Sequence, residues 1–234
     1  MESEERISTG VKGFDKLVEG GLIPGKVYLI VGPPGSGKTT FAMQFLLEGA
    51  RNGERVAYVS LVHDPREAAK DMARFDPSIW VYVNSGNLIL YDFGKVLWKS
   101  AGKPPTWGGV LSEIRTLAQT SKISRLVIDP LSAIEFRGDN PAEKRAELSS
   151  FTRSVENLGV TTFFVSELTE LDRYTEEHYI SHGVIMLHYF LDEEKADMVR
   201  AIQVLKMRRT KHKTGLFLMR FTDRGLEVLD KPPL

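Results

Sequence analysis

Residues 32–40 read Gly-Pro-Pro-Gly-Ser-Gly-Lys-Thr-Thr, "GPPGSGKTT". The stretch fits the pattern G-x-x-x-x-G-K-[ST]. It follows the apolar run "KVYLIV" (26–31) and opens "KTTFAMQFLLEGARNG" (38–53), a helical stretch closed by glycine. Strand, glycine-rich turn and helix in that order are the setting of a loop that cradles phosphate. Gly32, Gly35 and Gly37 let backbone N–H groups converge on phosphate oxygens without Cβ clashes. The helix N-terminus adds the positive end of its dipole. Lys38 is expected to reach the β- and γ-phosphates of ATP, and Thr39 to ligate Mg²⁺. Pro33, Pro34, Ser36 and Thr40 complete the expected cradle.

Outward from this loop, β-rich runs alternate with amphipathic ones. Strands are expected at 55–60, 125–129 and 160–166, and helices at 65–75, 109–121 and 141–159. The short β-rich "WVYV" (80–83) reads as a strand, and 84–108 as an irregular insertion. Such alternation predicts an α/β fold, a mainly parallel sheet flanked by helices. The near-continuous apolar strands agree, because strands of that kind are buried on both faces. After residue 182 the runs "GVIMLHYF", "MVRAIQVLKMRR", "GLFLMRFT" and "LEVL" follow at short intervals. They predict C-terminal, partly antiparallel strands that extend the sheet. One domain is expected over 1–234.

Composition narrows the partners. The chain has 234 residues, with 31 Lys+Arg against 31 Asp+Glu, so no net charge draws it to nucleic acid or anionic lipid. It has no cysteine, which removes disulfides, thiolate metal sites and thiol catalysis. The N-terminus "MESEERIS" is charged rather than apolar, and no run approaches the ~20 apolar residues of a membrane span. A soluble, cytoplasmic protein is expected.

A phosphate loop of this kind needs an acidic residue at the end of an apolar strand near the metal. "SRLVIDP" (124–130) supplies Asp129, which would otherwise merely cap the next helix.

With these pieces placed, the chain resembles the KaiC-like proteins of the RecA superfamily. The similarity begins with "STGVKGFDKLVEGGLIPGKVYLIVGPPGSGKTT" (8–40) and continues in "RLVIDPLSAI" (125–134) and "TTFFVSE" (161–167). It ends in "KMRRTKHK" (206–213), whose spacing is K-x-R-x-x-x-H. It covers roughly residues 7–229. The resemblance implies a RecA-type P-loop NTPase core and a homo-oligomer, a hexameric ring being favoured, with ATP between subunits. It maps the family's trans cations onto Lys206, Arg208 and His212. Chemistry supports that reading, since an arginine supplied in trans to a transferring phosphoryl group is worth ~10³–10⁵ in rate. On a strand Lys206 and Arg208 share one face. The bland alternative is a solvated basic edge strand.

The chain departs from the family at "YVSLVHDP" (58–65). The family usually carries two adjacent glutamates where this chain has Val62 and His63, and one of them activates water. Val62 cannot accept a proton. His63 can, since an imidazole is a proton acceptor, and so can Asp64 if the turn aims it inward. Asp64 before Pro65 is also a good helix N-cap. Two outcomes stay open: slow ATP hydrolysis, or a non-hydrolysing ATP-bound scaffold for an unknown protein partner. A DNA-stimulated ATPase is weaker. The loop after 160–166, "ELTELDRYTEEHYIS", is acidic and repels phosphate. The remaining histidines, His178, His182 and His188, read as structural. Trp98 and Trp107 read as core or interface residues.

Overall fold

The computed structural model describes residues 5–95, 105–134, 140–167, 176–194 and 196–233. Nine strands form one sheet: β1 (Val27–Gly32), β2 (Val56–Ser60), β3 (Leu88–Asp92), β4 (Arg125–Asp129), β5 (Thr161–Glu167), β6 (Gly183–Asp192), β7 (Asp197–Met207), β8 (Phe217–Thr222) and β9 (Gly225–Val228). Their order is β3-β2-β4-β5-β1-β6-β7-β8-β9. Every neighbouring pair from β3 to β6 is parallel, and β6 to β9 are antiparallel. The expected α/β architecture is therefore the observed one.

The parallel strands are buried on both faces because helices cover both. On one side lie α1 (Lys38–Arg51), α2 (Pro65–Ala73) and α3 (Ile79–Ser85); on the other lie α4 (Trp107–Ser121) and α5 (Pro141–Glu156). A short helix, α6 (Glu176–Ile180), precedes β6. The face of α1 turned to the sheet carries Phe41 and Phe45, which meet the Phe163 ring edge-on at 5.8 and 4.8 Å. Each such ring contributes on the order of 1.5–3 kcal/mol through burial alone. The segment before β1 also packs on this side, with Phe14 and Leu17 buried. Its entry turn is tied by Asp15, which accepts hydrogen bonds from the Ser8 hydroxyl at 2.8 Å and the Thr9 hydroxyl at 2.6 Å.

Two expectations at 80–108 are corrected. Residues 80–83 lie in a helix, α3, rather than a strand. Ile79 is buried and Trp80, Tyr82 and Val83 pack against the same core, while Val81 is exposed. That is a helical face, and burial of it outweighs the β preference of the individual residues. Asp76 accepts from the Ser78 N–H and hydroxyl just ahead of the helix, and Gly86 ends it in the left-handed conformation. The expected insertion contains β3, which pairs in register with β2 from Val56↔Leu88 to Ser60↔Asp92. Trp107 is buried in the core and meets Phe151 at 4.9 Å. Trp98 lies outside the described residues.

Candidate functional site

The phosphate loop joins β1 to α1 at the C-terminal end of the sheet. At Gly32 a Cβ would lie 2.4 Å from the Leu187 carbonyl oxygen, so no side chain fits. Gly37 has φ 104°, a left-handed conformation that favours glycine. As the N-cap of α1 it brings no side chain to the first amides of the helix. Those N–H groups stay open to an anion, backed by the dipole of a 14-residue helix. Lys38 folds back across the loop and donates to the Gly32 carbonyl at 2.8 Å and the Pro33 carbonyl at 3.0 Å. Burial lowers its pKa, opposed by the charges of Glu167 and Asp129. Pro34, Gly35, Lys38 and Thr39 line a cleft of about 390 Å³, and Ser36 lies fully buried behind them. Thr40, one residue further into α1, is half-buried.

Asp129 closes the opposite wall of the cleft. The Thr39 hydroxyl donates to its Oδ2 at 2.9 Å, and the Tyr58 hydroxyl donates to the same oxygen at 2.8 Å. Burial raises the pKa of Asp129, and these two donors and Lys38 only partly offset it. A buried carboxylate beside a threonine hydroxyl is a pair of hard oxygen donors, which suits Mg²⁺ completed by waters and phosphate. Among the described residues no three His, Cys, Asp or Glu side chains gather as an all-protein metal site. The donor set thus fits a metal that arrives with phosphate.

At the end of β2 the Ser60 hydroxyl donates to the His63 carbonyl at 2.7 Å and accepts from the His63 N–H at 3.2 Å, which pins the turn. His63 is exposed and lines the cleft. Asp64 also borders it, but its carboxylate caps α2, accepting from the Arg66 N–H at 2.9 Å, with Lys95 at 3.5 Å. That hydrogen bond holds its pKa below the usual carboxylate value.

Lys206 and Arg208 lie elsewhere. Both donate to the Tyr179 carbonyl, at 2.9 and 3.1 Å, so the two cations converge as their spacing predicts. Lys206 also donates to the His178 carbonyl at 3.0 Å. Burial, with the Arg208 charge, pulls its pKa down to about 8. His182 is structural: its ring nitrogen lies 3.0 Å from the Arg208 carbonyl. His212 is half-buried and makes a ring contact with the Lys213 carbonyl at 3.2 Å. Strand register sets this cluster apart from the phosphate loop. Lys206 pairs with Val184, next to Gly183, which lies beside Tyr28 near the start of β1. The loop follows Gly32, at the other end of β1.

Three residues of this region escaped the sequence reading. Tyr58 lies two positions before Ser60, so alternation on β2 places both on one face. Glu167 ends β5 and lines the cleft. Arg200 of β7 stacks over Tyr189 at 4.2 Å and Phe221 at 5.0 Å and donates to the Gly35 carbonyl at 3.1 Å.

The family model "ATPase: KaiC" matches residues 7–232. The chain belongs to the KaiC ATPase family. It is 33% identical over 223 residues to the circadian clock protein KaiC3 of Synechocystis, matching 91% of this chain but 43% of that protein, so it spans under half of that relative's length. A protein of Thermotoga maritima described as a UPF0273 protein is 29% identical, with 96% of both chains covered. The crystal structure of a KaiC-like protein from Pyrococcus horikoshii superposes with a TM-score of 0.82 at 30% identity, covering 97% of this chain and all of that one. The RecA-type ATP-binding fold expected of the family is thus the fold of this chain. Among the described residues no helix is long and apolar enough to cross a membrane.

Proposed function

We propose that this KaiC-family chain binds ATP with Mg²⁺ between the subunits of a ring and hydrolyses it slowly. The observation that carries the reading is the meeting of Lys38, Thr39 and Asp129 at the uncapped N-terminus of α1. Lys38 and the open amides would hold the β- and γ-phosphates, and Thr39 and Asp129 the metal. Bound Mg²⁺ would neutralise charge on the phosphate oxygens.

Charge argues for a second subunit. The cleft is lined by Asp64, Glu67, Asp71, Asp129 and Glu167 against Lys38 as its one lysine or arginine among the described residues. A triphosphate bearing about four negative charges is poorly matched to that balance, even with one divalent ion. Lys206 and Arg208 cannot repair it from within the same chain. Lys206 stands level with Leu29 of β1, three residues or roughly 10 Å before Gly32, and Arg208 lies beyond Met207, which is level with Tyr28. Supplied by a neighbour, they would meet the γ-phosphate.

A second reading, an ATP-loaded scaffold without turnover, is favoured by one observation. Val62 carries no proton acceptor and Asp64 is engaged as a helix cap. DNA is the weaker partner, although the loop 168–175 lies outside the described residues. ATP binding and phosphate release by the full chain and by Lys38→Ala decide among these. Tight Mg²⁺-dependent binding lost in Lys38→Ala supports the site. Unchanged affinity in that variant would refute it. Binding without phosphate release would favour the scaffold.

A further inference from the structure

The ATPase reading leaves the attacking water without a glutamate at the end of β2. Four of the five carboxylates that line the cleft are placed or engaged in ways that count against them. Asp64 caps α2, and Asp129 is bonded by Thr39 and Tyr58 at the metal position. Glu67 is paired with Lys70 at 2.7 Å on the first turn of α2, and Asp71 stands one turn further from the strand ends.

Glu167 differs from these. It is the last residue of β5, and β5 lies directly beside β1, with Glu167 opposite Gly32 where the phosphate loop begins. Its side chain is exposed in the cleft. Among the described residues it accepts no hydrogen bond and forms no ion pair. Its charge still reaches both Lys38 and Asp129, opposing the lowering of the Lys38 pKa by burial and adding to the rise at Asp129. A carboxylate that lines the same cleft as Lys38 and Asp129 and stands opposite Gly32 would lie near a terminal phosphate held there.

We infer that Glu167 accepts the proton of the attacking water, in place of the glutamates absent at positions 62 and 63; the inference rests on the ATPase reading above. As the water oxygen bonds to the γ-phosphorus, the bond from phosphorus to the bridging oxygen breaks. That electron pair leaves with ADP, one water proton passes to the Glu167 carboxylate, and its later release to solvent restores the anion. The residue is carried by a strand of the sheet rather than by the β2 turn, so its position is fixed by the register with β1.

The experiment uses the full chain with Mg²⁺ and ATP, and compares wild type with Glu167→Gln, which keeps shape and removes the acceptor. ATP affinity, phosphate release and the ratio of ATP to ADP retained on the protein are measured together. Glu167→Gln is expected to bind ATP within about threefold of wild type, to lose ~10²–10⁴ in turnover, and to hold ATP where wild type holds ADP. Adding Val62→Glu to Glu167→Gln is expected to restore part of the turnover. Phosphate release by Glu167→Gln at the wild-type rate would overturn the assignment. So would a wild type that holds ATP and never releases phosphate. A wild type that takes up no ATP would instead refute the nucleotide reading itself, and the role of Glu167 with it.

Discussion

Thr39 and Asp129 are 90 positions apart in sequence and are joined by a 2.9 Å hydrogen bond from hydroxyl to carboxylate across the floor of the cleft. The bond holds the first turn of α1 to the end of β4. It also leaves a carboxylate in a buried place that raises its pKa. A carboxyl whose folded pKa is raised favours the protonated form in the folded state. Its stabilising contribution is full below the unfolded value and is lost as pH rises through the raised one.

Stability without nucleotide should therefore fall as pH rises from about 4 upward through the raised Asp129 pKa. Asp129→Asn should remove that part of the slope and melt higher than wild type at neutral pH. Thermal melts of both proteins across pH measure this. Parallel slopes would contradict a buried, undercompensated carboxylate. Adding Mg²⁺ and ATP should stabilise wild type by mass action and Asp129→Asn much less.

Asp64 should act on stability through the start of α2. Its carboxylate accepts from the Arg66 N–H and Pro65 occupies the first helical position. Asp64→Ala should lower Tm by roughly 2–4 °C, the usual effect of a lost helix N-cap in a chain of this size. Asp64→Ser should recover most of it, since a serine hydroxyl makes the same cap. Equal loss in both variants would mean that the Lys95 contact, not the cap, matters.

Much of this was legible from periodicity, because long segments with a clear apolar period fold as their period dictates. The strands β1, β2, β4 and β5 and the helices α1 and α5 stand within a few residues of their expected bounds. The loop residues were legible because phosphate chemistry fixes their spacing. What failed was short or non-local. Residues 80–83 have β-prone side chains, yet a seven-residue helix buries them better. Nothing local marks Arg125 as a buried residue. It opens β4, is 1% exposed, pairs with Glu54 through two nitrogens at 2.6 and 2.9 Å, and reaches the Ser8 carbonyl at 2.7 Å. Those partners lie 71 and 117 positions away. Glu167 was quoted within a strand, but only the pairing of β5 with β1 brings it to the phosphate loop.

The depressed pKa of Lys206 predicts a pH dependence for the trans contact. Its ammonium is partly desolvated beside Arg208 and loses its proton as pH rises through about 8. Phosphate binds the protonated form. The contribution of Lys206 to ATP affinity should thus be full at pH 7 and fall by at most tenfold per pH unit above about 8. Binding measured at pH 8.5 should show proton uptake, detectable as heats that vary with buffer ionisation. Lys206→Arg should flatten the profile, since guanidinium stays charged. A profile that is unchanged in Lys206→Arg would assign the titration elsewhere.

Arg208 tests whether the site is shared between subunits. Arg208 lies at the sheet end away from its own phosphate loop, so its loss should damage the neighbour's site and spare the one its own chain carries. Arg208→Ala alone should lower turnover by ~10³ or more while leaving ATP affinity within several-fold, because its cation acts on charge that develops as the phosphoryl group transfers. Lys38→Ala alone should bind no nucleotide. The decisive preparation mixes the two inactive variants after dissociation. A subunit with an intact loop but no Arg208 would then sit beside a subunit that lacks Lys38 but keeps Arg208. Part of the lost activity should return, up to about a quarter of wild type when equal amounts mix at random, since half the subunits have a working loop and half of their neighbours supply the arginine. Mixtures as inactive as the separate variants would place Arg208 and Lys38 in service of the same subunit's nucleotide. That outcome would require a different path from the end of β7 to the phosphate loop than the strand register allows.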